Sequence, residues 1–339
     1  MLLRFLPLAW ITAGLAAAQP TIGLIDFYGV RKASTDRIQK ELGLRVGGPL
    51  PAKTLTEDKL EAIGGIVAGH LEAACCVNGQ AILYIGVEEK GAPHFDLNAP
   101  VDGAAVPLLP GEIRDTYRAL LEALATASRN GFTAEDWTRG HSLITDGPSR
   151  LLQLKLIELA EPNREVLAQA LARGDDEERA MAASVIGYVR RKDLVVNSLQ
   201  TALRDSEAAV RANALRSLAA FAKLAQTDPQ SEVRVAPTWM VEMLHSIVWS
   251  DRQNAVRVLL NLTETREEKL LALLRERAPQ TLAEMARWKH LPHALPYFLL
   301  LGRSSEWTED EIQKAWNENR EAAIERMLKA IKKKNDVPR

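Results

Sequence analysis

The chain has 339 residues, with 43 Lys and Arg against 44 Asp and Glu, 47% hydrophobic residues and only 5% aromatic ones. Such a balance gives no global pull toward nucleic acid or an acidic membrane, and no basic run interleaved with aromatics offers a single-stranded nucleic-acid groove. The length allows two domains or one long array with a sizeable core, packed mainly through aliphatic and alanine contacts.

In chain order, the first stretch is MLLRFLPLAWITAGLAAAQP, with Arg4 as a minimal basic start and an apolar run from Phe5 to Leu15. Ala16-Ala17-Ala18 supplies a small-residue cleavage site, so residues 1–18 are expected to be a signal peptide and the protein to be exported, periplasmic or extracellular. The apolar run falls short of the roughly 20 residues of a membrane-spanning helix. Membrane contact is therefore expected only if this segment stays uncleaved.

Residues 19–90 mix strand and helix signals. TIGLIDFY (21–28) is a strand, Ser34 caps a helix through Gly43, and Thr56 caps a second helix, TEDKLEAIGGIVAGHL, with Leu60, Ile63, Val67 and Leu71 at helical spacing. AACCVNGQAILYIGVEE then reads as two strands joined by Asn78-Gly79. Cys75 and Cys76 are adjacent, so an intrachain bridge would close a strained eight-membered ring. The reading preferred is one cysteine inward and one outward on the strand, with a vicinal disulfide as the alternative.

This β-α-α-β-β stretch resembles a POTRA domain in its opening IDFYG, in the helix leading to GLRVGGPL, and in a hairpin ending ILYIGVEEKG. The resemblance implies a small α/β domain whose sheet accepts a strand from a partner. No barrel strands follow, so a direct part in barrel assembly is not implied. Residues 91–111 hold Pro93, Pro100, Pro107 and Pro110 among glycines and read as a linker.

From 112 to 303 the pattern is helical. EIRDTYRALLEALATASRNG is an amphipathic helix, Thr133 and Asp136 suggest a capping box opening TAEDWTRGHSLI, and Asp146-Gly147-Pro148 breaks the chain. RAMAASVIG (179–187) aligns with RANALRSLA (211–219) at an offset of 32, and Arg252 with Ala255 follow Arg211 and Ala214 at 41. DDEERAMAASVIGYV and DSEAAVRANALRSLAAF resemble HEAT repeats, particularly the short phycobilisome-lyase-like kind. The resemblance implies a mainly α protein with a HEAT-like α-solenoid, and a structural ladder of Asp175, Arg179, Asp205, Arg211, Asp251 and Arg252 joining successive units. No residue marks lyase activity. Residues 304–339 read as capping helices with a basic tail, Lys332–Lys334.

No nucleophile elbow, phosphate loop, dinucleotide glycine pattern or zinc motif is present, so no catalytic residue, cofactor or small-molecule substrate is expected. Two metal sets are conceivable, His70 with Cys75 and Cys76, and His290 with His293. His141, Ser142 and Asp146 contain the letters of a triad without an oxyanion hole. Trp239, Trp249 and Trp288 are candidates for partner contact or for wedges between repeats. The expectation is a non-enzymatic envelope scaffold that binds a protein, with a metal-binding or enzymatic protein as the alternative.

Overall fold

The computed structural model describes residues 20–103, 108–228 and 230–336. The expected signal peptide lies outside these residues. The first five elements are β1 (Ile22–Tyr28), α1 (Thr35–Glu41), α2 (Lys53–Glu61), β2 (Ile66–Val77) and β3 (Gln80–Glu89). Ser34 caps α1 by accepting from the Arg37 amide. Asn78 and Gly79 turn β2 into β3 with φ of 51° and 77°. The sheet order is β1-β3-β2, with β1 parallel and β2 antiparallel to β3. The central strand is apolar on both sides because both are covered. Leu83, Ile85 and Val87 share a core with Ile38 and Leu60 of the two helices, and Ile82 and Tyr84 join the core of the helical region.

Helix α2 is shorter than its periodicity predicts. It ends at Glu61, Gly65 takes φ +97°, and Ile66 opens a strand. Thr56 lies inside the helix, donating to the Ala52 carbonyl at 2.8 Å, and is not its cap. The spacing of Leu60, Ile63, Val67 and Leu71 fits a helix, yet Val67 is exposed. The glycine pair decides the matter, since it costs a helix most and permits the turn.

Cys75 and Cys76 also depart from expectation. Both are exposed near the hairpin tip, where the register with β3 shifts, and they are joined to each other as a disulfide. The shift breaks the strand alternation that would have sent one of them inward.

The remainder is mainly helical: α3 (Gly111–Arg129), α4 (Gly147–Ala160), α5 (Arg164–Arg173), α6 (Asp176–Val185), α7 (Val196–Ala202), α8 (Ala208–Thr227), α9 (Thr238–Glu242), α10 (Trp249–Leu262), α11 (Glu268–Arg277), α12 (Pro279–Ala286), α13 (Leu291–Ser304), α14 (Glu309–Glu318) and α15 (Arg320–Asn335). A hairpin, β4 (Glu135–Asp136) with β5 (Leu143–Ile144), stands where a helix was expected after Thr133. Asp136 accepts from the Thr138 amide and hydroxyl, a local turn that competes with helix, and Gly140 completes the reversal at φ +68°. Asp146-Gly147-Pro148 starts α4. Asp146 accepts from the Ser149 amide, and the proline occupies the first turn, where no amide is needed.

Helices α6, α8, α10 and α13 pack in succession. Ala182, Ala183, Ala214, Ala219 and Ala255 are fully buried along this row, and a Cβ on Gly187 would overlap the Ser217 hydroxyl. Small contact residues let the helix axes approach, while Leu and Val fill the seams. Buried arginines link the units. Arg179 holds Asp205 through two bonds of 3.0 Å, and Arg211 holds Asp251 at 2.9 Å. Two ladder members depart from the expected role. Asp175 caps α6 through the Glu178 amide. Arg252 meets no carboxylate bond; it donates to the Ser246 carbonyl and sits 4.6 Å from the Tyr28 ring.

Tyr28 belongs to β1, so the sheet is seated on the helices at the third rung. Its hydroxyl donates to the Ile247 carbonyl at 2.6 Å, Tyr84 stacks on Trp249 at 4.5 Å, and Glu72 accepts from the Ser250 amide at 3.2 Å. The expected linker is tied down as well. Asn98 donates to the Arg204 carbonyl, Phe95 is buried, and Glu178 accepts from the Leu108 and Leu109 amides at 2.8 and 2.9 Å.

Two predictions follow from this packing. Asp205→Ala leaves the buried Arg179 guanidinium with only the exposed Asp176 carboxylate and the Gly174 carbonyl and is expected to cost about 3 kcal/mol in urea unfolding, whereas the pair Arg179→Met with Asp205→Leu costs less. Gly86→Ala drives a methyl to 2.6 Å from the Tyr28 ring. It should cost roughly 1–3 kcal/mol; a variant as stable as the parent would mean that Tyr28 does not pin the sheet.

Candidate functional site

The residues singled out by sequence are largely consumed inside the molecule. The Trp288 indole donates to the Phe27 carbonyl at 2.8 Å and is 3% exposed, so it has no surface to offer a partner. Trp249 lies against Tyr84 and His293. Trp239 packs edge-on to Phe95 and under the Arg204 guanidinium at 4.8 Å, where it holds the segment after β3. Trp239 and Trp249 are half-buried in these internal contacts, whereas Trp288 is enclosed by them.

The conceivable metal sets do not assemble. His70 lies between Glu57 at 3.2 Å and Glu72 at 3.7 Å. The cysteines are five and six residues further along β2, about 16 Å or more of extended strand. His293 shares a 2.5 Å hydrogen bond with the Tyr84 hydroxyl, and the His290 ring stands 4.2 Å from it. Among the described residues, no group of three or more His, Cys, Asp or Glu is placed to hold a metal ion. The triad letters also separate. Asp146 caps α4, Ser142 donates to Glu135, and His141 faces the Lys192 ammonium at 2.9 Å.

Strand addition finds both sheet edges engaged. On β1, Lys289 and His290 donate their amides to Asp26, Lys289 donates its ammonium to the Ile25 carbonyl, and Trp288 takes the Phe27 carbonyl. On β2, Glu61 accepts from the Gly69 amide and Glu57 from the Leu71 amide, at 3.2 and 2.7 Å. These bonds occupy part of the backbone that an added strand would use, at Ile25 and Phe27 on β1 and at Gly69 and Leu71 on β2.

One open groove, of about 510 Å³, has α8 and α10 as its floor and the β4–β5 hairpin as its wall. Its wall is fixed by one network. Glu135 lies 2.8 Å from the Arg216 guanidinium and accepts from the Trp137 indole at 2.8 Å and from Ser142. Burial works against the Glu135 carboxylate, but Arg216 and these hydrogen bonds outweigh it and hold its pKa below the ordinary value.

The floor carries a repeated set. RANALRSL (211–218) and RQNAVRVL (252–259) match in arginine, asparagine, alanine, arginine and leucine. The first arginine of each is buried, Arg211 on Asp251 and Arg252 against the Tyr28 ring, whereas Asn213 and Arg216, and likewise Asn254 and Arg257, line the groove. Asn213 spends its amide on the Tyr117 hydroxyl and the Ala180 carbonyl. Among the described residues, Asn254 and Arg257 make no side-chain hydrogen bond, and Arg216 Nη2 and Asn261 Oδ1 are buried without a partner. The alignment of Arg252 and Ala255 on Arg211 and Ala214 already contained the signal. Extending it two positions would have found Arg257.

A scan against protein-family models finds no match, and a search of curated proteins finds none either.

Several interior bases are held neutral. His245 accepts from Thr281 at 3.0 Å through Nδ1 and donates to the Arg277 carbonyl at 3.1 Å through Nε2, bonds that suit the uncharged ring. Burial and then Arg252 push its pKa down to about 4, and burial and then Lys192 bring His141 to about 4. An unfolded imidazole titrates near about 6.5. The folded chain therefore binds fewer protons between these values. This stability is fully present above about pH 6.5, declines as the pH falls toward about 4, and levels off below. The urea midpoint should follow that course, and His245→Gln should shrink the fall. Lys192, brought down to about 7 by burial, adds a rise in stability from about pH 7 toward about 10.4 by the same sign.

Proposed function

We propose that this chain is an exported, non-enzymatic interaction scaffold of the bacterial envelope, a HEAT-like α-solenoid with a POTRA-like domain seated on it, and that it binds a protein partner in the groove over α8 and α10. The observation that carries this reading is the repetition of Asn254 and Arg257 on Asn213 and Arg216 along an open groove, with Asn254 and Arg257 unbonded among the described residues and Arg216 Nη2 and Asn261 Oδ1 buried in its lining without partners. Groups that merely hold a repeat together find partners inside the chain, as Arg179 and Arg211 do. Three further observations support it: the successive packing of α6, α8, α10 and α13, the parallel pairing of β1 with β3, and the N-terminal apolar segment of the sequence. Among the described residues, no helix is long and apolar enough to cross a membrane.

The test is affinity capture from the native envelope with the full chain, tagged at its C-terminus. Wild-type bait should recover one protein saturably, Arg257→Glu should lose it, and Lys314→Glu, an exposed change on α14, should keep it. Equal recovery by all three baits removes the groove from the function.

A further inference from the structure

We infer that the groove takes an extended, acidic peptide segment of the partner. This rests on the groove being the docking site and names the chemistry of its occupant.

The unbonded groups set that chemistry. Arg216 has its Nε engaged by Ser142 and Glu135, yet its Nη2 is buried and requires an acceptor. Arg257 stands exposed one repeat further, on the adjacent helix. Guanidinium groups pair best with carboxylates, whose two oxygens match their paired donors. The acidic residues of the wall do not fill this need. Glu135 is already bonded to Arg216, Trp137 and Ser142, and Asp136 to Thr138. Arg139 and Arg150 also lie near Asp136, so cations outnumber carboxylates around the wall and floor.

Asn261 separates a peptide from a simple anion. Its Oδ1 is a buried acceptor without a partner, and an occupant must bring it an N–H. Phosphate or sulfate at neutral pH offers acceptors almost alone. A peptide backbone offers both kinds, and the free amide of Asn254 can meet a peptide C=O and N–H together. Packed helices lie about 8–10 Å apart, a span that two or three residues of extended chain cover at about 3.3 Å each. A segment crossing α8 and α10 can thus set one carboxylate near Arg216 and another near Arg257.

The test is fluorescence anisotropy with the full chain and a fluorescein-labelled twelve-residue Gly/Ser peptide carrying four Asp or Glu. The controls are the same peptide with Lys at those positions, oligo(dT) and inorganic polyphosphate. The acidic peptide should bind saturably and weaken as salt rises. Arg257→Glu should weaken it at least about tenfold, and Asn254→Ala by a smaller factor. Neither side chain has an internal hydrogen bond, so both variants should melt with the wild type, and that is checked first. Preference for the Lys peptide, equal binding of oligo(dT) or polyphosphate, insensitivity to Arg257→Glu, or no binding at all would each overturn the inference. If envelope capture depends on Arg257 while the acidic peptide fails, the occupant is wrong and the scaffold stands. If the peptide binds through Arg257 while capture ignores it, the scaffold reading falls instead.

Discussion

Arg211 lies 1% exposed with its guanidinium on Asp251 of the next unit, and the arrangement of the helical region depends on this kind of bond. A buried arginine cannot be left alone, so each unit must present its aspartate at the right height and angle. Such pairs add little net stability over apolar replacements of the same volume. Their effect is to penalise every misplaced register, which an alanine-rich seam would otherwise tolerate. At Arg252 the series changes. The next unit presents no aspartate to it, and Tyr28 from the sheet covers the charge with its ring. The end of the ladder is therefore also the place where the two parts of the chain are joined.

The same economy explains why so few conspicuous residues are available to a partner. Tryptophans and histidines draw attention in a sequence because they can do chemistry or form hot spots. Here Trp249, Trp288 and His293 lie at the joint between sheet and helices, where large rings fill an irregular seam and find hydrogen-bond partners such as the Phe27 carbonyl and the Tyr84 hydroxyl. The segment after β3, rich in proline and glycine, looks like a spacer but lies along the helices, held by Glu178 and Arg204. Proline suits it because its extended backbone bonds sideways to the helical region.

The groove is the reverse case. Its floor carries no conspicuous residue, and Asn254 and Arg257 read as ordinary polar surface. They become a site because two successive helices place matching side chains side by side and the β4–β5 hairpin closes one flank. That hairpin was the element least visible in advance, since the capping pattern at Thr133 and Asp136 suits a helix start as well as a turn.

Sequence alone settled the order β-α-α-β-β and the change to mainly helical structure after residue 111, while the Arg–Asp pairing of the central units was implied by the resemblance of their segments to known repeats. The first two rest on local rules: alternation, capping and the Asn-Gly turn. Tertiary structure decided the rest. It made a hairpin of residues 135–144, turned both cysteines outward and spent Trp288 inside. Each of these depends on which surface meets which across long stretches of chain, and a periodic pattern carries no record of its neighbour in space.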